Sequence, residues 1–276
     1  MNKHIFLKVL ILCLLILSII FPVNAFCQEN NNSKTKQDKN QVKTGIKIQK
    51  EKKPEHSQIY NSPFELKLTN EIVAFSVAAA MFVPTFFIKT DPLSDSEIMS
   101  LNKDDINGFD RSAANNWNTT AKSFSDITVI TCAAAPLLLL AGKNSRSDIL
   151  TAAVMYAEVM ALSFSLGRLT KKIVNRTRPF VYNSDAPMKD KKKEDARYSF
   201  FSGHTVTAFS SAAFLSYTFS QYYPNSPWKY VIWPVSFSLA GLTAYLRIAA
   251  GKHFPTDTIV GAAVGTLIGI LIPYLH

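Results

Sequence analysis

Six long apolar stretches constrain this chain more than any other feature. They lie near residues 70–88, 127–142, 149–167, 205–228, 230–246 and 258–275. A helix needs about 20 mostly apolar residues to cross a bilayer, within a range of about 17 to 25. Most of the stretches qualify, and 127–142 only just does. A soluble bundle would need a polar stripe on each helix, yet 205–228 and 258–275 offer little beyond Ser and Thr. Tyr222, Tyr223, Trp228, Tyr230 and Trp233 cluster around one helix–helix turn, as interface aromatics do. Gly261, Gly265 and Gly269 recur every four residues and give the last stretch one small face for close packing. The expected fold class is therefore all-α, a polytopic membrane bundle of about six transmembrane helices spanning residues 66–276.

What precedes the bundle differs in kind. Residues 1–25 read as an export signal or an uncleaved anchor, with Lys3, His4 and Lys8 before an apolar run and Val23-Asn24-Ala25 at its end. Residues 26–65 are mostly Asn, Lys, Gln and Glu. Such a segment cannot bury enough surface to offset its ordering entropy, so a disordered polar tail is expected. Half of the net charge of +10 falls in this tail and in residues 189–197. That distribution argues against nucleic acid as a partner and for anionic lipid or phosphate. The three cysteines, Cys13, Cys27 and Cys132, match neither a metal site nor a disulfide framework. The polar loop 89–126 is expected to form short amphipathic helices on the membrane surface, and no chemistry is legible in it. Glu158, the lone acid inside the last five stretches, should face the bundle.

Polar residues collect at three helix ends. The third stretch runs into Lys171-Lys172-Ile173-Val174-Asn175-Arg176-Thr177-Arg178-Pro179. The fourth opens with Phe201-Ser202-Gly203-His204. The fifth ends at Arg247, followed by His253 and Asp257. Successive helices alternate direction, so these three ends share one face of the bundle. Lys171, Arg178 and Arg247 would then stand together, a costly arrangement unless an anion with several oxygens neutralises it. Arginine's fork suits phosphate oxygens. Ser202 and the Gly203 N–H, at a helix start, add neutral donors. In His253 and Asp257, four residues apart, the carboxylate could hold one ring nitrogen while the other serves as nucleophile. His204 could then protonate a leaving oxygen. With one carboxylate and no cysteine, the cluster is a poor metal site, and no metal or other cofactor is expected.

These residues resemble the type 2 phosphatidic acid phosphatase superfamily. Lys171 with Arg178-Pro179 is similar to its K-x6-R-P element, Phe201–His204 to its P-S-G-H, and Leu246-Arg247 through His253 to Asp257 to its S-R-x5-H-x3-D. The motifs keep the family's order and spacing, and the resemblance covers residues 70–276. It implies that His253 attacks phosphorus, that Asp257 orients it, and that His204 protonates the leaving group. It implies also that Lys171, Arg178, Ser202, Gly203 and Arg247 hold the phosphate, without metal. Phe201 in place of proline and Leu246 in place of serine are the departures. The insert 185–197 carries lysines that could steer anionic headgroups, or is a solvated loop.

The expected function is an integral membrane phosphatase acting on lipid phosphates or diphosphates, with a lipid phosphotransferase or an anion-binding transporter as alternatives. An inner-membrane location with the site on the outer face is expected. Lys143 and Arg146 favour an inside position for the loop at the opposite end. Three crossings from an exported tail would place the site inside, unless 70–88 fails to cross. The oligomeric state is not legible.

Overall fold

The structure, a computed structural model, describes residues 61–276. The expected signal segment and most of the expected tail lie outside the described residues. Six long helices dominate: α1 (Leu68–Phe82), α2 (Thr119–Ala134), α3 (Ile149–Val174), α4 (Gly203–Tyr222), α5 (Lys229–Ala249) and α6 (Pro255–Leu275). No strand occurs among the described residues. The all-α membrane bundle anticipated from the apolar stretches is the fold observed.

Five of these helices, with the 3₁₀ turns that extend α1 and α2, are long and apolar enough to cross a membrane. The exception is α4, and its position explains why. It packs against α6, α5, α3 and α2, and Thr205, Ser210, Ser211, Ser216 and Thr218 on it are fully buried. A helix surrounded by protein can carry hydroxyls, provided each finds a partner. Ser216 Oγ lies 2.8 Å from Ser236 Oγ on α5, and Ser211 Oγ lies 2.8 Å from the Tyr156 hydroxyl on α3. The outer helices invert the usual pattern. Ile72, Phe86, Ile130, Leu138, Val235 and Ile259 stand exposed, an apolar girdle suited to lipid rather than water. The chain is a multi-pass membrane protein.

The small face of α6 meets α4. A Cβ placed on Gly265 would lie 2.5 Å from the Val206 carbonyl oxygen and 3.0 Å from Ser210 N. At Gly261 the nearest atom would be Ser202 O at 3.0 Å. The two backbones touch, and this contact fixes α4 against the start of α6.

Two of the expectations change. Residues 70–88 do not fall short of a crossing. α1 starts beside the end of α6, where Glu71 meets His276, and its 3₁₀ extension reaches Arg168 near the end of α3, whose Nε donates to Thr85 Oγ1 over 2.9 Å. The chain thus enters α1 at the end of the bundle opposite Lys171. The loops 89–118 and 179–197, expected as surface helices and as a steering or solvated insert, pack on each other instead. Leu93, Ile98, Phe180, Val181, Ala186 and Ala196 form one buried cluster, Trp117 stacks on Phe180 with ring centroids 5.4 Å apart, and Arg197 donates to Glu97 over 2.6 Å. They pack as a cap over one end. At the other end Phe64 packs edge-on against Tyr222 and Glu65 N–H donates to His276 O over 2.8 Å, so residues 62–65 are docked on the bundle.

Candidate active site

The ends of α3, α4, α5 and α6 converge under this cap. α3 stops at Asn175, whose left-handed φ of 50° lets its N–H bond Lys171 O over 3.0 Å. The chain turns there and carries Arg176 and Arg178 back over the bundle. α5 ends near Gly251, whose φ of +69° and close approach to Asn116 O exclude a side chain. This turn brings His253 and Asp257 to the start of α6. Ser202 N–H donates to Asp257 O over 3.1 Å, tying the start of α4 to the same place.

All eight sequence-derived residues sit in this region. His253 is 1% exposed, and its Nδ1 lies 2.6 Å from Ser199 O. A carbonyl only accepts, so Nδ1 carries the hydrogen and the Nε2 lone pair is left free. Asp257 Oδ2 is 3.8 Å from Nδ1, beyond hydrogen-bond reach. The direct carboxylate–imidazole bond expected from the i,i+4 spacing is replaced by one through Ser199, whose Oγ donates to Asp257 Oδ2 over 2.5 Å while its carbonyl holds the ring. Asp257 Oδ2 also accepts from Phe254 N–H over 2.8 Å.

Burial and the charges of Arg178, Arg247 and Lys171 together hold the His253 pKa well below that of a free imidazole, against the opposing Ser199 bond. The ring is neutral, as a nucleophile requires. Lys252 next to it is lowered to about 8, first by burial and then by Arg178.

The cations are not bare. Arg178 donates through Nε to Asp195 O (2.8 Å), through one terminal nitrogen to Asp195 Oδ1 (2.7 Å) and through the other to Lys252 O (3.3 Å). Arg247 donates to Ser125 Oγ over 3.2 Å and lies 3.5 Å from Asp126 Oδ1, while its Nε is buried with no hydrogen-bond partner. Lys171 Nζ stands 3.0 Å from where a Gly203 Cβ would be. Ser202 Oγ caps α4, accepting from Thr205 N–H over 3.3 Å and from Thr205 Oγ1 over 2.9 Å. Its own hydrogen remains to be donated. The Phe200–Phe201 peptide is cis.

Residues that no motif announced complete the arrangement. Asp126 on α2 accepts from His204, its Oδ1 lying 2.8 Å from Nε2, and pairs with Lys122 over 2.9 Å. Arg176 bridges two buried carboxylates, reaching Asp257 Oδ1 at 2.5 Å and Asp110 Oδ2 at 2.8 Å, with its guanidinium over the Phe254 ring. Burial alone would raise the Asp110 pKa; hydrogen bonds from Arg176, Thr256 and Asn107 more than offset it and leave it below the usual carboxylate value. Charge balance is the one clue the sequence held. Three or more buried cations need more than one carboxylate, and Asp110, Asp126 and Asp195 supply the rest.

A cavity of about 520 Å³ opens beside the cluster between α2, α3 and α4. Lys171, Gly203 and His204 line it together with Val129, Phe164 and Val206, and Arg168, Lys172 and Glu194 line it as well. Charged and apolar side chains thus share its wall.

Fold and site together define a multi-pass membrane protein with a cationic cluster around a buried, neutral histidine. The PAP2 superfamily model matches residues 152–276, and over that segment the chain is similar to this superfamily. A lipid A 1-phosphatase of Porphyromonas gingivalis is 34% identical over 130 residues, which are 47% of this chain and 23% of that one. An undecaprenyl-diphosphatase of Sulfolobus acidocaldarius is 28% identical over 134 residues, 49% of this chain and 58% of that one. The chain thus spans about a quarter and somewhat over half of these two relatives. A solved transmembrane PAP2-type phosphatidylglycerolphosphate phosphatase from Bacillus subtilis is similar with a TM-score of 0.42 at 17% identity, over 73% of this chain and 93% of that one. Asp110, Ser125 and Asp126 lie before the matched segment.

Proposed function

We propose that this protein is an integral membrane phosphatase that hydrolyses lipid phosphates or lipid diphosphates through a phosphohistidine. The observation that carries this reading is the His253 ring. It is buried and neutral, its Nδ1–H is held by Ser199 O, and Arg178, Arg247 and Lys171 surround it. Named relatives that act on lipid A and on undecaprenyl diphosphate support the substrate class. The half-apolar cavity offers room for a lipid chain next to the cationic cluster.

In the proposed reaction Nε2 of His253 attacks phosphorus as the bond to the lipid oxygen breaks. Lys171, Arg178 and Arg247, with the Ser202 hydroxyl and Gly203 N–H, hold the three remaining oxygens, where charge builds in the transition state. His204 gives the departing oxygen its proton through Nδ1, its Nε2 being engaged by Asp126. Water then attacks phosphorus, the P–N bond breaks, inorganic phosphate leaves, and the water's second proton returns to His204. Asp257 and Ser199 position the nucleophile, and no cofactor enters.

We place the site on the outer face of the inner membrane, which, with α1 crossing, puts residues 62–65 on the inner side and sets aside an exported tail. Lys143 and Arg146 lie in the turn at the opposite end, which supports an inside position for that turn. Protection of Asn144→Cys from an impermeant maleimide in intact cells is expected, and labelling would refute it.

Phosphate release by purified protein from a panel of lipid phosphates, with EDTA present, tests the function. Release is expected from wild type and not from His253→Ala. Release that survives this substitution sinks the mechanism.

A further inference from the structure

The end of the bundle opposite the catalytic cluster holds a second polar constellation. Glu71 on α1, Glu158 on α3 and His276 just beyond α6 bring one candidate ligand atom each within 4.8 Å of the others. His276 Nε2 lies 3.1 Å from Glu71 Oε1 and 3.3 Å from Glu158 Oε2. The other ring nitrogen, Nδ1, lies 2.8 Å from Ile272 O. That carbonyl only accepts, so Nδ1 carries the hydrogen and Nε2 faces the two carboxylates.

Three candidate ligand atoms therefore face one another. Glu158 is fully buried, and neither of its oxygens has a hydrogen-bond partner; Glu71 Oε2 is buried and unpartnered as well. Buried carboxylates in this state are strongly unfavourable. A cation between them removes the conflict at a stroke, because each lone pair then points at positive charge. The spacing fits one kind of cation well. Zinc holds imidazole nitrogen and carboxylate oxygen at about 2.1 Å, which puts neighbouring ligand atoms of a tetrahedron about 3.4 Å apart. The observed 3.1 and 3.3 Å are close to this edge. The Nδ1–H bond to a backbone carbonyl is also the outer contact that metal-bound histidines make.

We propose that Glu71, Glu158 and His276 bind a divalent transition-metal ion of the zinc type, which staples α1, α3 and α6 together. The site takes no part in the phosphatase reading: Asp257 and His276 are 19 residues apart along α6, about 28 Å at the helical rise.

The test is metal content. Full-length protein in detergent is incubated with zinc chloride, desalted and analysed for zinc per chain, alongside Glu158→Gln and Glu71→Gln. Wild type should retain about one zinc per chain, and both variants should lose it while eluting as wild type does. Wild type that retains none overturns the proposal, and so does zinc retained undiminished in both variants. Should the variants unfold, cobalt in wild type decides. An intense visible absorption of tetrahedral cobalt is expected, and its absence overturns the site. Phosphate release is read from the same samples. Release without bound zinc removes this site and leaves the phosphatase reading standing; bound zinc without release does the reverse.

Discussion

Replacing Gly265 by alanine should uncouple the two halves of the active site by a known displacement. The new Cβ would stand 2.5 Å from Val206 O, and ordinary contact begins at 3.4 Å. Both atoms belong to helix backbone or lie against it, so about 0.9 Å must be found by moving α4 away from α6. Ser202 and His204 ride on the start of α4; His253 and Asp257 stand at the start of α6, joined to it by the Ser202 N–H to Asp257 O bond of 3.1 Å. Overpacking of this kind costs about 1–3 kcal/mol of stability. A shift near 1 Å at a reacting centre costs about 10²-fold in rate. We expect a lowered unfolding temperature and about a 10²-fold loss in kcat/KM for phosphate release from a lipid phosphate. Gly241→Ala, on α5 with nothing within 4 Å of the new atom, is the control and should leave both unchanged or gain slightly in stability. Wild-type activity and melting in Gly265→Ala would refute the idea that this glycine contact sets the catalytic geometry.

Asp126→Ala should lower kcat by about 10²- to 10⁴-fold with little change in KM, as loss of an oriented general acid does; an unchanged kcat in steady-state assays would remove Asp126 from the site. Arg247→Lys should impair turnover more than it lowers the melting temperature, because Arg247 Nε is unpartnered, whereas Arg176→Lys should chiefly destabilise, since Arg176 is committed to Asp110 and Asp257; melting curves beside kinetics separate the two. The depressed pKa of His253 gives stability a sign. Below about 6.5 the unfolded chain binds a proton that the folded ring refuses, so stability should fall as pH drops from 6.5 toward 5, by up to about 1.4 kcal/mol per unit. Denaturant unfolding at several pH values checks this, and His253→Gln should lose that part of the slope.

The membrane bundle was legible because lipid imposes a simple code. Every stretch had to be long, apolar and helical, and the stretches named from composition match the long helices that form. Length was less legible. The second stretch looked short at 127–142, yet α2 begins at Thr119, because Asn118 accepts a hydrogen bond from Ala121 N–H over 2.9 Å and starts the helix in polar sequence. The convergence of the eight residues at one end of the bundle was legible as well, through motif spacing and through the alternation of helix direction. Their partners were not. Asp110 stands in a loop with no periodicity and Asp126 in the polar early turns of α2, and only tertiary packing brings one to Arg176 and the other to His204. Ser199 escaped notice because its decisive group is a backbone carbonyl, which sequence cannot distinguish from any other. For the same reason the i,i+4 spacing of His253 and Asp257 suggested a direct bond where the fold inserts a serine.

The distribution of carboxylates says how a site this cationic can exist before substrate arrives. Arg176 spends both ends on Asp257 and Asp110 and keeps its guanidinium against Phe254, so it is part of the scaffold. Arg178 is half committed, to Asp195 from the cap. Arg247 has the weakest pairing, at 3.5 Å to Asp126, and an unused Nε. The pairing loosens from Arg176 to Arg247, and a phosphate would gain most where it is loosest, since no existing ion pair need break there. Two of the acids, Asp110 and Asp195, come from the loops that make the cap. The cap therefore does more than cover the site. It supplies the negative charge that lets the cations be buried, and its removal would leave them repelling one another with nothing to hold α3, α5 and α6 at the same place.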